Sequence, residues 1–237
     1  MTTASAVSTA NGRFAFVLGG SLLIASAVLA LLRLAPLWTT LTVDVLESEY
    51  YILPLAASAM FAAAVLVFAW GWRGEGSVVA RRPFGLLTLS LFGVWNLMIM
   101  LLVPFIQAAS KEGGEAMMGL ILLPILAPIV ATAAVLAIAQ AGAVAGWWRW
   151  MPALALCPYL ILVVVNLLSY TGLYIALMDF PFEAFGWAIV GAQLLLGIGA
   201  IALARAAGRR SEAPIGGQTD PSAIPPAESA ESAETAI

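Results

Sequence analysis

Apolar positions along this chain run in blocks and not in stripes. Six stretches, about 14–35, 51–72, 84–106, 118–140, 154–178 and 184–204, are almost free of charge and show no polar–apolar alternation. A helix that crosses a hydrocarbon layer of ~30 Å needs ~20 such residues. At that depth the backbone must satisfy its own hydrogen bonds, which a helix does within a single segment. The strands of a membrane barrel would alternate over short segments. The pattern therefore predicts an all-α fold, a polytopic integral membrane bundle of six transmembrane helices. Residues 1–13 are a short tail, 14–204 the bundle and 205–237 a low-complexity tail. The first apolar run is too long for the ~7–15-residue core of a signal peptide, so it is read as a span.

The segments between the blocks assign the sides. Arg13, Arg73, Arg81, Arg82, Arg149, Arg205, Arg209 and Arg210 all fall on one side if every span crosses once. Asp44, Glu47, Glu49, Glu112, Glu115, Asp179 and Glu183 fall on the other, with Lys111 their only basic neighbour. The excess of basic residues in cytoplasmic loops then places both termini in the cytoplasm, in the cell (inner) membrane. Arg33, near the end of its helix, can extend its charge to the headgroups. Trp70, Trp72, Trp147, Trp148 and Trp150 cluster at the arginine side, where indole rings favour the half-wet interfacial layer.

Openings of the outward helices recur as Arg13-Phe14, Arg82-Pro83-Phe84 and Trp150-Met151-Pro152, which groups the six helices as three hairpins. Topology alone also puts Trp and Arg at cytoplasmic ends, so the grouping does not require a repeat. Residues 211–237 are dominated by Pro, Ser, Ala, Gly and Glu, with too little apolar surface to offset the entropy of ordering, and are predicted to be disordered. Arg205, Arg209 and Arg210 before them are placed at anionic headgroups.

Composition changes the picture mainly by exclusion. Only 10% of the 237 residues are charged, against about 25% in ordinary soluble domains. There is no histidine, which removes His-ligated haem and any Ser-His or Cys-His catalytic pair. The single cysteine, Cys157, lies within a span, permits no intrachain disulfide and is read as inert packing. Ten Lys+Arg scattered over several loops form no nucleic-acid face. The one lysine precedes Glu112, so no Walker A loop exists. Gly197-Ile198-Gly199-Ala200-Ile201-Ala202 imitates a dinucleotide loop but sits inside a span with no strand before it. No cofactor or metal is expected. With no catalytic motif and no Asp, Glu or Lys within the spans, the chain is not expected to be an enzyme, and a proton relay is disfavoured.

Uncharged polar side chains at depth are the remaining candidates for chemistry. Asn96, Asn166 and Gln193 stand near mid-span in the third, fifth and sixth helices. At 100° per residue, Asn166 and Tyr170 lie about 20° to either side of Tyr159 on one stripe, with Tyr174 near 60° at its edge. Gly186, Gln193, Gly197 and Ala200 share a face of the sixth helix. Pro124 and Pro128 are expected to bend the outer half of the fourth. The plain reading makes these amides interhelical glue, worth roughly 0.6–2 kcal/mol each. The functional one makes Asn96, Tyr159, Asn166, Tyr170 and Gln193 the lining of an outward-opening cavity.

On the functional reading the chain is a small permease or transporter subunit for a neutral or amphiphilic solute. Its partners are membrane lipids and other membrane or ATPase subunits, since it has no nucleotide site of its own. The alternative is a non-catalytic accessory or assembly protein acting through helix packing; a membrane enzyme comes third.

Overall fold

The structure is a computed structural model that describes residues 9–34, 49–73, 75–110, 116–144, 146–170 and 182–212. The acidic connections and residues 213–237, for which the sequence predicts disorder, lie outside the described residues. The chain is all-helical: α1 is Ala10–Leu34, α2 Glu49–Trp70, α3 Pro83–Ser110, α4 Ala116–Ala141, α5 Met151–Tyr170 and α6 Phe182–Glu212. A 3₁₀ turn, Gly146–Trp150, leads into α5, and among the described residues there is no strand. Four segments, Ala10–Leu32, Ile52–Trp70, Pro83–Leu102 and Gly186–Arg209, are long and apolar enough to cross a membrane. In α4 the described apolar stretch is the shorter Leu126–Ala141.

Helix α6 runs past residue 204, where the sequence pattern places the start of the tail. Alanine and arginine are strong helix formers, and the segment after Ala202 meets no proline until Pro214, so the hydrogen-bonded ladder continues. Arg205 and Arg209 are therefore helical. In α4 the helix is continuous through both Pro124 and Pro128.

Helices pack in a ring. Each lies against its neighbours in sequence, α6 closes the circle against α1, and among the described residues no helix touches one across the ring. Short connections enforce the neighbour order; the closing seam depends on small residues. On α1, Gly19 leaves room for the Phe68 ring of α2 and Gly20 meets Gly197 of α6. Gly93 of α3 lies on Val65 of α2. The interior is correspondingly rich in alanine, including Ala15, Ala27, Ala64, Ala69, Ala131, Ala134 and Ala204. Backbones approach closely where side chains are small, the packing mode of helices that cannot rely on water to drive them together. Large apolar side chains point outward instead: Leu87, Phe105 and Leu195 are 68%, 72% and 61% exposed. An outer surface of this kind suits lipid and not water.

One connection is itself part of the core. After α2 the chain turns tightly, with Trp72 and Glu75 exchanging backbone hydrogen bonds of 2.8 and 3.0 Å, and then folds back under the ring. Ser77 Oγ donates to the Ala69 carbonyl at 2.6 Å and Val78 N to the Phe68 carbonyl at 2.9 Å, so the loop extends the end of α2. Val79 is fully buried, pressed onto Gly85 of α3. The turn needs left-handed backbone at Gly71 and Gly76, and also at Arg73, Ala80 and Arg81 (φ 48°, 49° and 57°). Side-chain-bearing residues resist that conformation by about 1–2 kcal/mol each, so the buried valines must hold it.

Gly76 packs on Gly12, Phe14 leans on Trp72 with ring centroids 4.9 Å apart and planes 59° to each other, and the Arg13 guanidinium covers Gly208. These contacts bring the start of α1, the α2–α3 loop and the end of α6 to one end of the ring. Trp148 packs on Gly199 of α6, which brings the α4–α5 connection to the same end. Seven arginines (Arg13, Arg73, Arg81, Arg82, Arg149, Arg205 and Arg209) thus share it.

Candidate functional site

Six helices in a ring leave space on the axis unless large side chains fill it. Here alanines of α4, α5 and α6 form part of the inner surface, and a cavity of about 340 Å³ persists between the walls. That is within the ~300–1,000 Å³ of small-molecule sites. All six helices contribute to it. Its apolar lining is set by Phe16, Phe61, Phe68 and Phe92 on one side and by alanines of α4 and α5 on the other. The rings interlock: Phe16 meets Phe68 edge-on at 5.7 Å and Phe61 meets Phe92 at 5.6 Å. Such edge-to-face pairs fix ring positions beyond simple burial.

Val78 and Val144, from the two connecting loops, and Trp148 close the cavity toward the arginine-bearing end. The outer end of the expected outward-opening cavity, with Asn166 and Tyr170, lies outside the residues whose side chains are described. Trp148 departs from the interfacial belt expected for it. Gly199 gives its indole a flat seat on α6, and the ring joins the core, while Trp70, Trp72 and Trp150 stay exposed.

The uncharged polar groups are distributed around the wall. Asn96 lines the cavity from α3, Tyr159 from α5 and Gln193 from α6. The side chains of Asn166 and Tyr170, further along the expected stripe, lie outside the described residues, as does Tyr174. Asn96 Nδ2 donates to Ser58 Oγ of α2 at 3.3 Å, so this amide ties two helices together as the packing reading expects. Gln193 differs. Its Oε1 is buried and has no hydrogen-bond partner among the described residues.

Trp95, which the sequence pattern does not single out, is the second such group. It lines the cavity beside Asn96, and its Nε1 is likewise buried and unpartnered among the described residues. A signal was present: belt tryptophans stand at span edges, and Trp95 stands in the middle of one. Each unmet buried donor or acceptor costs about 1–3 kcal/mol, and native structures keep few of them without a reason. Among the described residues no Asp, Glu, Lys or Arg lines the cavity. Among the described residues no cluster of Cys, Asp or Glu is arranged to hold a metal ion. Cys157 is exposed, its thiol donating to the Ala153 carbonyl at 3.5 Å, and takes no part in the cavity.

Comparison with protein-family models, with curated proteins and with solved structures finds no match to this chain. Function must therefore be inferred from the chemistry of the cavity.

Proposed function

We propose that this chain is a small permease-like protein, or the membrane subunit of a transporter, that holds a neutral or amphiphilic solute inside a ring of six membrane-crossing helices. The observation that carries the proposal is the axial cavity, to which all six helices contribute and which is lined by mainly apolar side chains together with Asn96, Tyr159 and Gln193. A bundle whose only task is to pack would fill that space. In this reading all six helices cross the cell membrane, and both termini lie in the cytoplasm. The gathering of seven arginines at one end supports that orientation. The energy for directed movement comes from partner subunits, since the sequence has no Walker A motif.

A non-catalytic accessory role is the second reading, and the Asn96–Ser58 bond favours it, because there an amide within a span joins two helices. Purification in mild detergent, followed by mass spectrometry of everything retained, separates the two. The proposal expects a neutral amphiphile bound to the wild type and lost from Ala155→Leu and Ala192→Leu, which enlarge side chains on the cavity wall, with an ATPase or other energising subunit alongside. A stable complex with other membrane proteins, unchanged by these substitutions and without small-molecule cargo, would establish the accessory role instead.

A further inference from the structure

The lining of the cavity, its length and the loose seating of one wall together name a narrower class of occupant. Taking the cavity as the ligand site proposed for it, we infer that it holds the hydrocarbon chain of a membrane lipid, taken in from the bilayer with the head group left outside.

The wall is suited to hydrocarbon. Phe16, Phe61, Phe68 and Phe92 face alanines of α4 and α5 across the space, and leucine, valine and isoleucine side chains complete the lining. Polar residues interrupt it at single points, and three of their atoms are not offered to a ligand. Trp95 Nε1 and Gln193 Oε1 have almost no accessible surface, and Asn96 Nδ2 donates to Ser58 Oγ. Among the described residues no charged side chain lines the cavity. A solute with several polar groups would leave water's hydrogen bonds for few replacements, and an ion would lose its hydration with no counter-charge. A saturated chain has neither to lose.

Length narrows the choice further. The lining runs from Leu89 to Ile99 on α3 and from Ile189 to Leu203 on α6. These are ~15 and ~21 Å of helix, so the space is drawn out along the ring axis. Half of a ~30 Å hydrocarbon core is ~15 Å, the depth that the chains of one leaflet cover. An extended chain fills such a space from end to end, whereas a compact solute would leave part of it empty.

Helix α5 points to the bilayer as the source. It alone of the six helices has no buried residue among its described side chains. Met151, Pro152, Ala155, Leu156 and Tyr159, through which it lines the cavity, are all half-buried. Among the described residues no hydrogen bond ties α5 to another helix, and Pro158 removes one bond from its own ladder. Its foot is anchored, because Trp148 just before it sits on Gly199 of α6. Moving α5 aside therefore disrupts less packing than moving any other wall. Leu154, Ile161 and Val164 are exposed on this helix, a surface suited to lipid, so hydrocarbon chains surround the wall that yields most readily. At such a concentration even a weak preference for the cavity keeps it occupied.

The test uses the full chain in lipid nanodiscs and two photoreactive probes. One is a phosphatidylcholine with a diazirine midway along one chain; the other is a short, uncharged, water-soluble diazirine alcohol. Labelled residues are mapped by mass spectrometry. The lipid probe is expected to mark Ile99, Leu156 and Leu196 on the cavity wall as well as the outward-facing Leu87 and Leu195. The water-soluble probe is expected to leave the wall residues unmarked. Ala155→Leu and Ala192→Leu should each cut lipid labelling of Ile99 and Leu196 by about fivefold or more, since a filled space has no room for a chain. Unchanged labelling of Leu87 and Leu195 in these variants shows that they remain folded in the bilayer. Wall labelling by the water-soluble probe as strong as by the lipid would overturn the inference and leave the cavity as a site for another ligand. Lipid labelling of the wall that persists in both variants would overturn it too, because the chain would then lie elsewhere. Absence of wall labelling by both probes would overturn the ligand-site reading itself.

Discussion

Gly20 of α1 and Gly197 of α6 meet backbone to backbone: a Cβ on Gly20 would stand 2.7 Å from the Gly197 carbonyl oxygen, and one on Gly197 2.8 Å from that of Gly20. The contact is reciprocal, and it lies in the seam that closes the ring. Neither obstacle is a flexible side chain that can swing away. Adding a methyl group at either position must therefore separate the helices.

Gly20→Ala and Gly197→Ala are each expected to destabilise the bundle by about 1–3 kcal/mol through this overpacking. Gly191, on the same helix as Gly197, has open space where a Cβ would go. Gly191→Ala should be neutral or stabilising by up to about 1 kcal/mol, since alanine suits a helix better than glycine. Thermal unfolding in one detergent compares the three, and similar losses at all of them would remove the seam as the explanation.

Asn96 and Ser58 join α3 to α2. A double-mutant cycle with Asn96→Ala and Ser58→Ala is expected to return a coupling energy of about 0.6 kcal/mol, with ~1.7 as the upper range for such bonds in membranes. Additive effects would mean that the amide's partner is elsewhere.

In the buried α2–α3 loop, two substitutions should have opposite signs. Ser77→Ala removes the 2.6 Å bond to the Ala69 carbonyl and the acceptor for Arg81 N, and should cost about 1–3 kcal/mol because that carbonyl is buried. Ala80→Gly relieves a left-handed residue and should be neutral or stabilising by about 1 kcal/mol. Loss of stability from the glycine substitution would show that the loop adopts another backbone.

Exposure at the arginine-bearing end gives a check on orientation. Cys157→Ser is expected to leave folding unchanged, because the thiol is exposed and makes only a weak contact with its own helix. In that background, Ala80→Cys and Ala206→Cys, both at exposed positions, should react with an impermeant maleimide only in inverted vesicles. Labelling of one from the outside and the other from the inside would contradict the shared end.

Much of the helix framework was legible in the sequence, and particular residues show why. The block 84–106 has no charge and no strand periodicity, and it lies within α3, because helix formation by a long apolar segment depends on its own backbone hydrogen bonds. Asn96, Tyr159 and Gln193 could be picked out for the same local reason: polar groups are conspicuous inside apolar blocks. Trp148 could not. Its neighbours Trp147, Arg149 and Trp150 describe an interface, and only Gly199, some fifty residues later in the chain, gives it a place in the core. Val78 and Val79 were equally hidden, since a loop rich in arginine and glycine reads as exposed.

Local chemistry dictates the helical character of the chain and the uncharged nature of its apolar segments. Each is a property of one segment and the solvent it requires, so each can be read without knowing the fold. Three features depend instead on which surfaces meet. Helix α6 closes on α1 through Gly20 and Gly197, the α2–α3 loop and Trp148 turn inward, and Trp95 and Gln193 stand on opposite walls of a cavity. Helices that are apolar on every side carry no stripe to say which face turns inward, so close approach of small residues settles it.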